Sequence, residues 1–131
     1  MKIIEIGLSH RQRIAETCIS GYVEITDKEG DYAIVIEFEE PFDGDGTLYI
    51  ELMTDSDDGF HSADTIKKIG PLHSENIISG STVKIKNFSE QLDRYVCLFY
   101  RVTKGSFASG KITARISSEK DPWFAMGAEE V

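Results

Sequence analysis

Long hydrophobic runs are absent from the sequence, and this excludes one large class of proteins. No apolar stretch approaches the ~18 residues of a membrane-spanning helix. The short apolar stretch at the N-terminus contains Glu5, and an acidic residue is atypical of the hydrophobic region of a signal peptide. We therefore expect a soluble protein that is synthesised in the cytoplasm and has no membrane partner.

Basic residues are outnumbered by acidic ones. The 131 residues include 23 acidic and 14 basic side chains, which give a formal net charge of -9 at pH 7. A surface with this excess of negative charge repels the phosphates of nucleic acids and of anionic membranes. We therefore predict no nucleic-acid partner.

Cysteine and histidine are also few. The two cysteines, Cys18 and Cys97, lie in apolar alternating segments without a Cys-x-x-Cys pair, which is typical of small buried thiols. The three histidines (His10, His61 and His73) are scattered and have no carboxylate at ligand spacing. The sequence therefore predicts no metal site built on these residue types.

An acidic turn at residues 55–59 invites a calcium interpretation, because clustered carboxylates suit hard cations. The spacing departs from the helix-loop-helix calcium pattern, since Gly59 stands at a ligand position and Ile66 replaces the bidentate glutamate. We interpret this segment, and the turn around Asp43 and Asp45, as solvated turns. We predict no cofactor.

Catalytic signatures are missing as well. No serine lies in a Gly-x-Ser-x-Gly elbow, and no Ser-His-Asp set is suggested by spacing. A pair of carboxylates for glycoside cleavage can be drawn freely from 23 acids, so that assignment is unconstrained. We predict no catalytic residues and no enzymatic activity.

The sequence does contain a repeated alternation of apolar and polar residues. Leu48, Ile50 and Leu52 alternate with more polar neighbours, and this period of two predicts a half-buried strand. Turn signals recur at roughly the 8–12-residue spacing of sandwich folds. We therefore predict one all-β domain over residues 1–131, a jelly roll or β-sandwich of about eight antiparallel strands. Comparable alternation occurs in segments 17–26, 32–40, 83–86, 92–103 and 111–117.

Several strands receive a more specific prediction. The short connection from segment 32–40 to the strand at residue 48 predicts neighbouring antiparallel strands. A weak strand at 65–69 is expected to end at Gly70-Pro71. In segment 17–26, the alternation puts Ile19, Val23 and Ile25 on one face and Tyr22 on the other.

Two further segments are distinguished by the side chains on the face of the strand that points away from the core. Val83 and Ile85 alternate with Lys84 and Lys86, which favours an exposed edge strand because lysines resist pairing with other chains. Segment 92–103 is apolar on both faces. It therefore predicts a strand that is buried on both sides or covered by a neighbouring subunit.

The two ends of the chain carry large apolar side chains outside any alternating pattern. We predict an extended N-terminal arm over residues 1–16 and a C-terminal tail over residues 119–131. A short helix from a capping box at Ser9–Gln12 through Glu16 is the alternative for the arm. Such side chains either fold back onto their own domain or anchor a partner, and the sequence leaves both alternatives open. The candidate partner-contact residues are Ile3, Ile4, Ile6, Trp123, Phe124 and Met126.

A set of strand and turn residues between Gln12 and Ser118 resembles one family of structural proteins. The segments that carry the resemblance are Leu48–Phe60, Ile66 with Gly70, Gly80 before Val83, Arg94–Leu98 with Tyr100, and Gly110–Ala114, with Gln12 similarly placed. The family is the jelly-roll capsid cement (head decoration) proteins of tailed bacteriophages.

The resemblance implies a non-enzymatic structural protein of the virion. It implies a homo-oligomer, a homodimer or homotrimer, located on the outer capsid surface after synthesis in the host cytoplasm. Its partner would be the major capsid protein, whose neighbouring subunits it would bridge and stabilise.

A carbohydrate-binding jelly-roll module is the alternative, since such sandwiches often bind sugars on aromatic side chains. That alternative requires Tyr22, Tyr49 or Tyr100 to lie coplanar on an exposed face. A cupin-like enzyme is a third option, and it would require a tightly bound metal that we do not expect.

Overall fold

The structure is a computed structural model, and it describes residues 5–26, 31–118 and 129–130. Strands dominate this part of the chain, with two short 3₁₀ turns at Ser74–Asn76 and Ser89–Gln91. No helix among the described residues has the length and apolar character needed to cross a membrane. The strands are β1 (Glu5–Arg13), β2 (Cys18–Glu24), β3 (Tyr32–Gly44), β4 (Thr47–Asp55), β5 (Asp64–Leu72), β6 (Thr82–Ile85), β7 (Tyr95–Thr103), β8 (Phe107–Ser118) and β9 (Glu129–Glu130).

The strands form two sheets that pack against each other. The five-stranded sheet has the order β1-β8-β3-β6-β9, and the four-stranded sheet has the order β2-β7-β4-β5. Every neighbouring pair is antiparallel except β6 and β9, which are parallel. Successive strands from β1 to β8 alternate between the sheets except at β4–β5, which is the winding of a jelly roll. The predicted all-β sandwich is confirmed.

The core fills the space between the two sheets, where the inner rows of the strands meet. In β4 the inner row is buried, and in β7 it is buried from Val96 to Tyr100, because alternate residues of a strand point to the same face. Burying each large aliphatic side chain stabilises the fold by roughly 1.5–3 kcal/mol. The central residues are Ile34, Ile36, Phe38, Leu48, Ile50, Leu52, Val96, Leu98, Tyr100, Ile112, Ala114 and Ile116.

A buried polar network closes the sandwich where the edge strands β1 and β2 meet. The Tyr100 hydroxyl lies 2.8 Å from Ser9 Oγ, which donates to Gln12 Oε1 at 2.7 Å. Gln12 Nε2 in turn donates to the carbonyl of Ile19 at 3.0 Å. Burial raises the pKa of Tyr100 well above its ordinary value. Its hydroxyl therefore remains protonated and available for hydrogen bonding at neutral pH.

Strands β3 and β4 lie in different sheets, so the prediction that they are neighbours is wrong. The connection between them turns a corner of the sandwich, with Gly44 at a φ of 145°. The β7–β8 connection turns the same corner beside it. Asp45 Oδ1 accepts the Ser106 N–H at 3.2 Å, and the Gly46 N–H donates to the Ser106 carbonyl at 3.1 Å. A two-residue connection can therefore change sheets as well as form a hairpin.

Strand β6 is an internal strand, which corrects the predicted exposed edge. Glu129 and Glu130 of β9 pair with Val83 and Lys84, so a second strand occupies the side of β6 opposite β3. Lys84 is only 7% exposed. The alternation of apolar residues with lysines in β6 was misleading, because the strand that covers β6 is remote in sequence.

Strand β5 is the open edge of the four-stranded sheet, and it continues through Gly70-Pro71. The prediction that the strand ends before these residues is therefore wrong. Proline lacks an N–H donor, but an edge strand has one row of backbone groups that needs no partner in the sheet.

The segments predicted as arms have different outcomes. Residues 5–13 of the N-terminal segment form β1, which pairs with β8 at the edge of the five-stranded sheet. In the C-terminal segment, residues 119–128 and 131 lie outside the described residues, and Glu129–Glu130 form β9.

Candidate interaction surface

Strand β2 contains a register change that brings two apolar side chains to the outer surface. Ile19 and Tyr22 are three residues apart, yet they pair with Phe99 and Cys97, which are two residues apart. The extra residue in β2 is a β-bulge, which reverses the alternation of the strand. Ile19 and Tyr22 therefore face outward together, with exposed fractions of 47% and 53%.

The bulge lies at Ser20-Gly21. The Ser20 hydroxyl accepts a backbone N–H of β7 at 2.8 Å, so its side chain replaces a missing backbone acceptor. Beyond the bulge, Val23 and Ile25 are buried in the core. The prediction that Ile19 shares their face is therefore wrong. Gly21 was the available signal, because a glycine inside a strand pattern often marks a bulge.

Apolar side chains continue across the outer surface of the four-stranded sheet. Cys97 and Met53 lie beside Tyr22 in one row, and Phe99 lies beside Ile19 in the next. Opposite residues of antiparallel strands point to the same side, so these rows form one surface. We call it the aromatic face, and its members are Ile19, Tyr22, Met53, Phe60, Tyr95 and Phe99.

The rings of the aromatic face hold one another in place. The Tyr22 ring lies edge-on to Tyr95, with centroids 5.6 Å apart and an interplanar angle of 87°. Phe60, from the β4–β5 turn, lies 6.5 Å from Tyr22 at 57°. The Tyr22 hydroxyl also donates to Asp58 Oδ2 at 3.5 Å. These contacts order the exposed ring before any partner binds, which lowers the entropic cost of binding.

Charged side chains border the aromatic face in oppositely charged pairs. Arg94 Nε lies 2.7 Å from Glu24 Oε2, and Arg101 Nε lies 3.2 Å from Glu51 Oε2. Arg101 also lies over the Tyr49 ring, as does Lys68, at 5.1 and 4.7 Å from the ring centroid. The border is thus locally balanced on a molecule whose net charge is strongly negative.

Strand β7 is apolar on both sides, as predicted, but its two sides have different surroundings. Its inner row is buried in the core, whereas on the outer row Tyr95 and Phe99 are half-buried. Cys97 lies between them and is fully buried. Burial raises the pKa of the Cys97 thiol to about 12. The thiol is therefore protonated at neutral pH and acts as a small apolar side chain.

Both cysteines are free thiols in the structure, and Cys18 is half-buried. Burial raises the pKa of Cys18, which hydrogen-bonding to Gln12 partly offsets. The predicted role as small apolar side chains is therefore met in full by Cys97 and in part by Cys18.

The outer surface of the five-stranded sheet differs in chemistry. Glu39 accepts hydrogen bonds from Arg11 Nη1, at 3.2 Å, and from the Thr113 hydroxyl. Ala33 and Val35 form a small apolar cluster there and are 0% and 3% exposed. Among the described residues, this surface presents polar groups where the aromatic face presents rings.

The acidic turn at 55–59 directs its first carboxylate into its own backbone. Asp55 is 7% exposed and accepts the N–H groups of Asp57 and Ser62 at 3.2 and 2.9 Å. Asp57 Oδ2 lies 2.5 Å from His61 Nδ1. This bond raises the pKa of His61 and lowers that of Asp57. These side chains therefore stabilise the turn that carries Phe60.

The structure places few of the predicted contact residues. Ile6 lies in β1 opposite Ile116, and its side chain lies outside what the structure describes. The other five lie outside the described residues, so they remain predictions. The aromatic face was not predicted, because its members come from strands that are remote in sequence. The five undescribed candidates are Ile3, Ile4, Trp123, Phe124 and Met126.

The three tyrosines required by the carbohydrate-binding alternative have different environments. Tyr100 is fully buried in the core. Lys68 and Arg101 lie over the ring of Tyr49. Tyr22 is exposed, but its nearest tyrosine neighbour is perpendicular to it. The coplanar arrangement of these tyrosines that sugar stacking would use is therefore not formed.

Chemically reactive groups do not converge in the described part of the chain. No group of three or more histidine, cysteine or acidic side chains there could hold a metal ion. A polar depression of about 400 Å³ is lined by Asp31 and by residues 87 and 89–91. Its lining has no histidine, cysteine or aromatic side chain. The aromatic face is therefore the best candidate for a functional site.

Comparison with known proteins gives no matching family model and no matching curated protein. By its fold, the protein is an all-β sandwich. Evidence about its function therefore comes from its surface.

Proposed function

We propose that the protein is a capsid cement (decoration) protein of a tailed bacteriophage. In this proposal it is a non-enzymatic homo-oligomer that binds the outer surface of the phage head and bridges major capsid subunits. The observation that carries the proposal is the aromatic face, an ordered and partly exposed apolar surface on a rigid β-sandwich. Segments 48–60, 94–98 and 110–114 resemble capsid cement proteins, and this resemblance supports the phage head as the partner.

The charge and the fold suit this role. A net charge of -9 disfavours contact with packaged nucleic acid, so the protein is suited to the outside of a shell. The close-packed core between the two sheets has low compressibility, which suits a protein that holds neighbouring subunits together. Attachment at many equivalent sites on a shell then makes modest individual contacts strong in sum.

Binding to phage heads tests the proposal directly. The full chain is added to heads of the phage that encodes it, from which the protein has been stripped, and the mixture is sedimented. We expect saturable binding and a higher temperature at which the heads release their DNA. Absence of binding at micromolar concentration would contradict the proposal, as would specific binding in a glycan array that is lost in Tyr22→Ala.

Substitutions in the C-terminal segment test the predicted contact residues. Replacing Trp123 and Phe124 together by serine is expected to weaken head binding by roughly tenfold or more, because buried aromatic anchors dominate such contacts. Ile78 is 69% exposed and lies far along the chain from this segment, so Ile78→Ser is the matched control. Equal binding by both variants would show that Trp123 and Phe124 are not anchors.

A further inference from the structure

We propose that the aromatic face is the contact between two copies of this chain, which pack face to face about a two-fold axis. The inference rests on the proposed function in that it names the surface of the homo-oligomer. Its main test is the mass of the protein in solution, which needs no phage heads, so the two can fail separately.

Exposed apolar area is concentrated on this face. The described residues include three exposed large hydrophobic side chains: Ile19, Tyr22 and Ile78. Two of them lie on the aromatic face, where half-buried Phe60, Tyr95 and Phe99 extend the apolar surface. An apolar centre rich in aromatic residues and bordered by polar groups is the usual composition of a protein–protein interface.

The pairing of charges on the border of the aromatic face is compatible with a second copy at this place. Two molecules that each carry a charge of -9 repel each other over most of their surfaces. On the border of the aromatic face, Arg94 pairs with Glu24 and Arg101 pairs with Glu51. In a two-fold contact here, each of these four charges already has a partner of opposite sign in its own copy. Repulsion between the same residues of the two copies is therefore reduced.

The ordering of the exposed ring also favours a stable contact. The edge-on contact with Tyr95 and the hydrogen bond to Asp58 hold Tyr22 in place in the single copy. The partner therefore meets a formed surface. Because a two-fold axis repeats every contact, each substitution on the face acts twice in the dimer.

The size of the face sets the strength of the expected dimer. The four strands of the sheet are seven or nine residues long. With strands about 4.8 Å apart and about 3.3 Å per residue, the whole outer surface of the sheet covers at most roughly 19 by 30 Å. Two such faces bury on the order of 1,100 Å² together, which is the lower end of specific interfaces. Sheets of the same hand pack well when aligned at about -30°. We therefore expect a dimer that dissociates on dilution in the micromolar range.

The test is the mass of the full chain in solution, measured by sedimentation equilibrium over a range of concentrations. The wild type is expected to shift from dimer to monomer on dilution. Tyr22→Ser and Ile19→Ser are each expected to weaken the dimer roughly 30-fold, as loss of a central interface residue does. Ile78→Ser removes a more exposed isoleucine outside the aromatic face and is expected to leave the dimer unchanged. Circular dichroism and thermal melting verify that every variant is folded.

Salt provides a second readout. Raising the salt concentration from about 0.05 M to about 0.5 M shortens the screening length and reduces the repulsion between two acidic copies. The dimer should therefore become tighter in high salt. A contact held mainly by ion pairs between copies would instead become weaker, and this result would overturn the proposed apolar contact.

Three other outcomes would also overturn the proposal. The first is a wild type that is monomeric at all concentrations. The second is a dimer or trimer that Tyr22→Ser and Ile19→Ser leave unchanged. The third is a monomer whose head binding is lost in Tyr22→Ser, which would assign the aromatic face to the capsid and leave the proposed function intact.

Discussion

Two aromatic clusters in this protein have similar ring geometry and opposite surroundings. Phe42 lies edge-on to Phe38 and Phe107, with centroids 6.0 and 5.2 Å apart, and all three rings are at most 5% exposed. Tyr22 lies edge-on to Tyr95 at 5.6 Å, yet it is 53% exposed. Similar ring contacts thus stabilise the core in one place and order a surface for binding in the other.

The difference between the clusters follows from the strands that carry them. Phe38 and Phe42 belong to β3 in the five-stranded sheet, and Phe107 begins β8 at the corner of the sandwich. The exposed cluster lies on the outer side of the four-stranded sheet, where the bulge in β2 turns Ile19 and Tyr22 outward. An extra residue in one strand therefore decides whether these side chains join the core or the surface.

Replacing one ring of each cluster by alanine compares them most directly. Phe42→Ala should lower the free energy of unfolding by about 3–5 kcal/mol, because it leaves a cavity in the core. Tyr22→Ala should lower it by less than about 1 kcal/mol, because half of that side chain already faces water. Urea unfolding, carried out where the protein is monomeric, measures both. Equal losses would show that the exposed cluster is as important to the fold as the buried one.

A smaller change tests how tightly the buried cluster is built. Gly110 has a φ of 138°, and a Cβ atom added there would lie 2.6 Å from the Phe42 ring. Gly110→Ala should therefore cost about 2–4 kcal/mol, from backbone strain together with overpacking. Gly7 lies in the same sheet and has open space around it, so Gly7→Ala should change stability by less than about 0.5 kcal/mol. Equal unfolding midpoints for the two variants would contradict this account.

Much of the sandwich could be predicted because alternation survives in its central strands. In β4, the inner row at Leu48, Ile50 and Leu52 is buried as the period of two requires. In β2 the alternation gave a wrong prediction, because a bulge there reverses which residues face the core. It also gave no warning that a distant strand covers β6. Local patterns report which residues alternate, but pairing partners and register depend on remote segments.

The candidate site could not be predicted from the sequence for the same reason. Tyr22, Met53 and Phe99 become neighbours only when β2, β7 and β4 pair in their observed register. The sequence pattern pointed to the termini instead, because their apolar residues lie outside any alternation. A glycine within β2 was the one local indication that the outer surface of this strand was unusual.

The smallest predicted effect concerns the turn that presents Phe60 to the exposed cluster. Asp57 raises the pKa of His61 above its ordinary value of 6.5, and His61 lowers the pKa of Asp57 below 3.8. The raised pKa stabilises the turn fully below about pH 6.5, and this contribution is lost as the pH rises through the folded-state pKa of His61. The lowered pKa contributes above about pH 4 and is lost as the pH falls through the folded-state pKa of Asp57. The turn should therefore be most stable between these limits.

Proton NMR of the His61 imidazole measures this coupling without depending on global unfolding. In Asp57→Asn the pKa of His61 should return towards its ordinary value, because the carboxylate that favours the charged ring is lost. Both side chains are exposed, so the effect on overall stability is expected to be slight. If the pH dependence of the Tyr22 and Phe60 signals follows the titration of His61, the turn sets the position of Phe60. An unchanged His61 titration in Asp57→Asn would mean that the ion pair does not form in solution, and the order of the exposed cluster would then rest on its ring contacts and on the hydrogen bond from Tyr22 to Asp58.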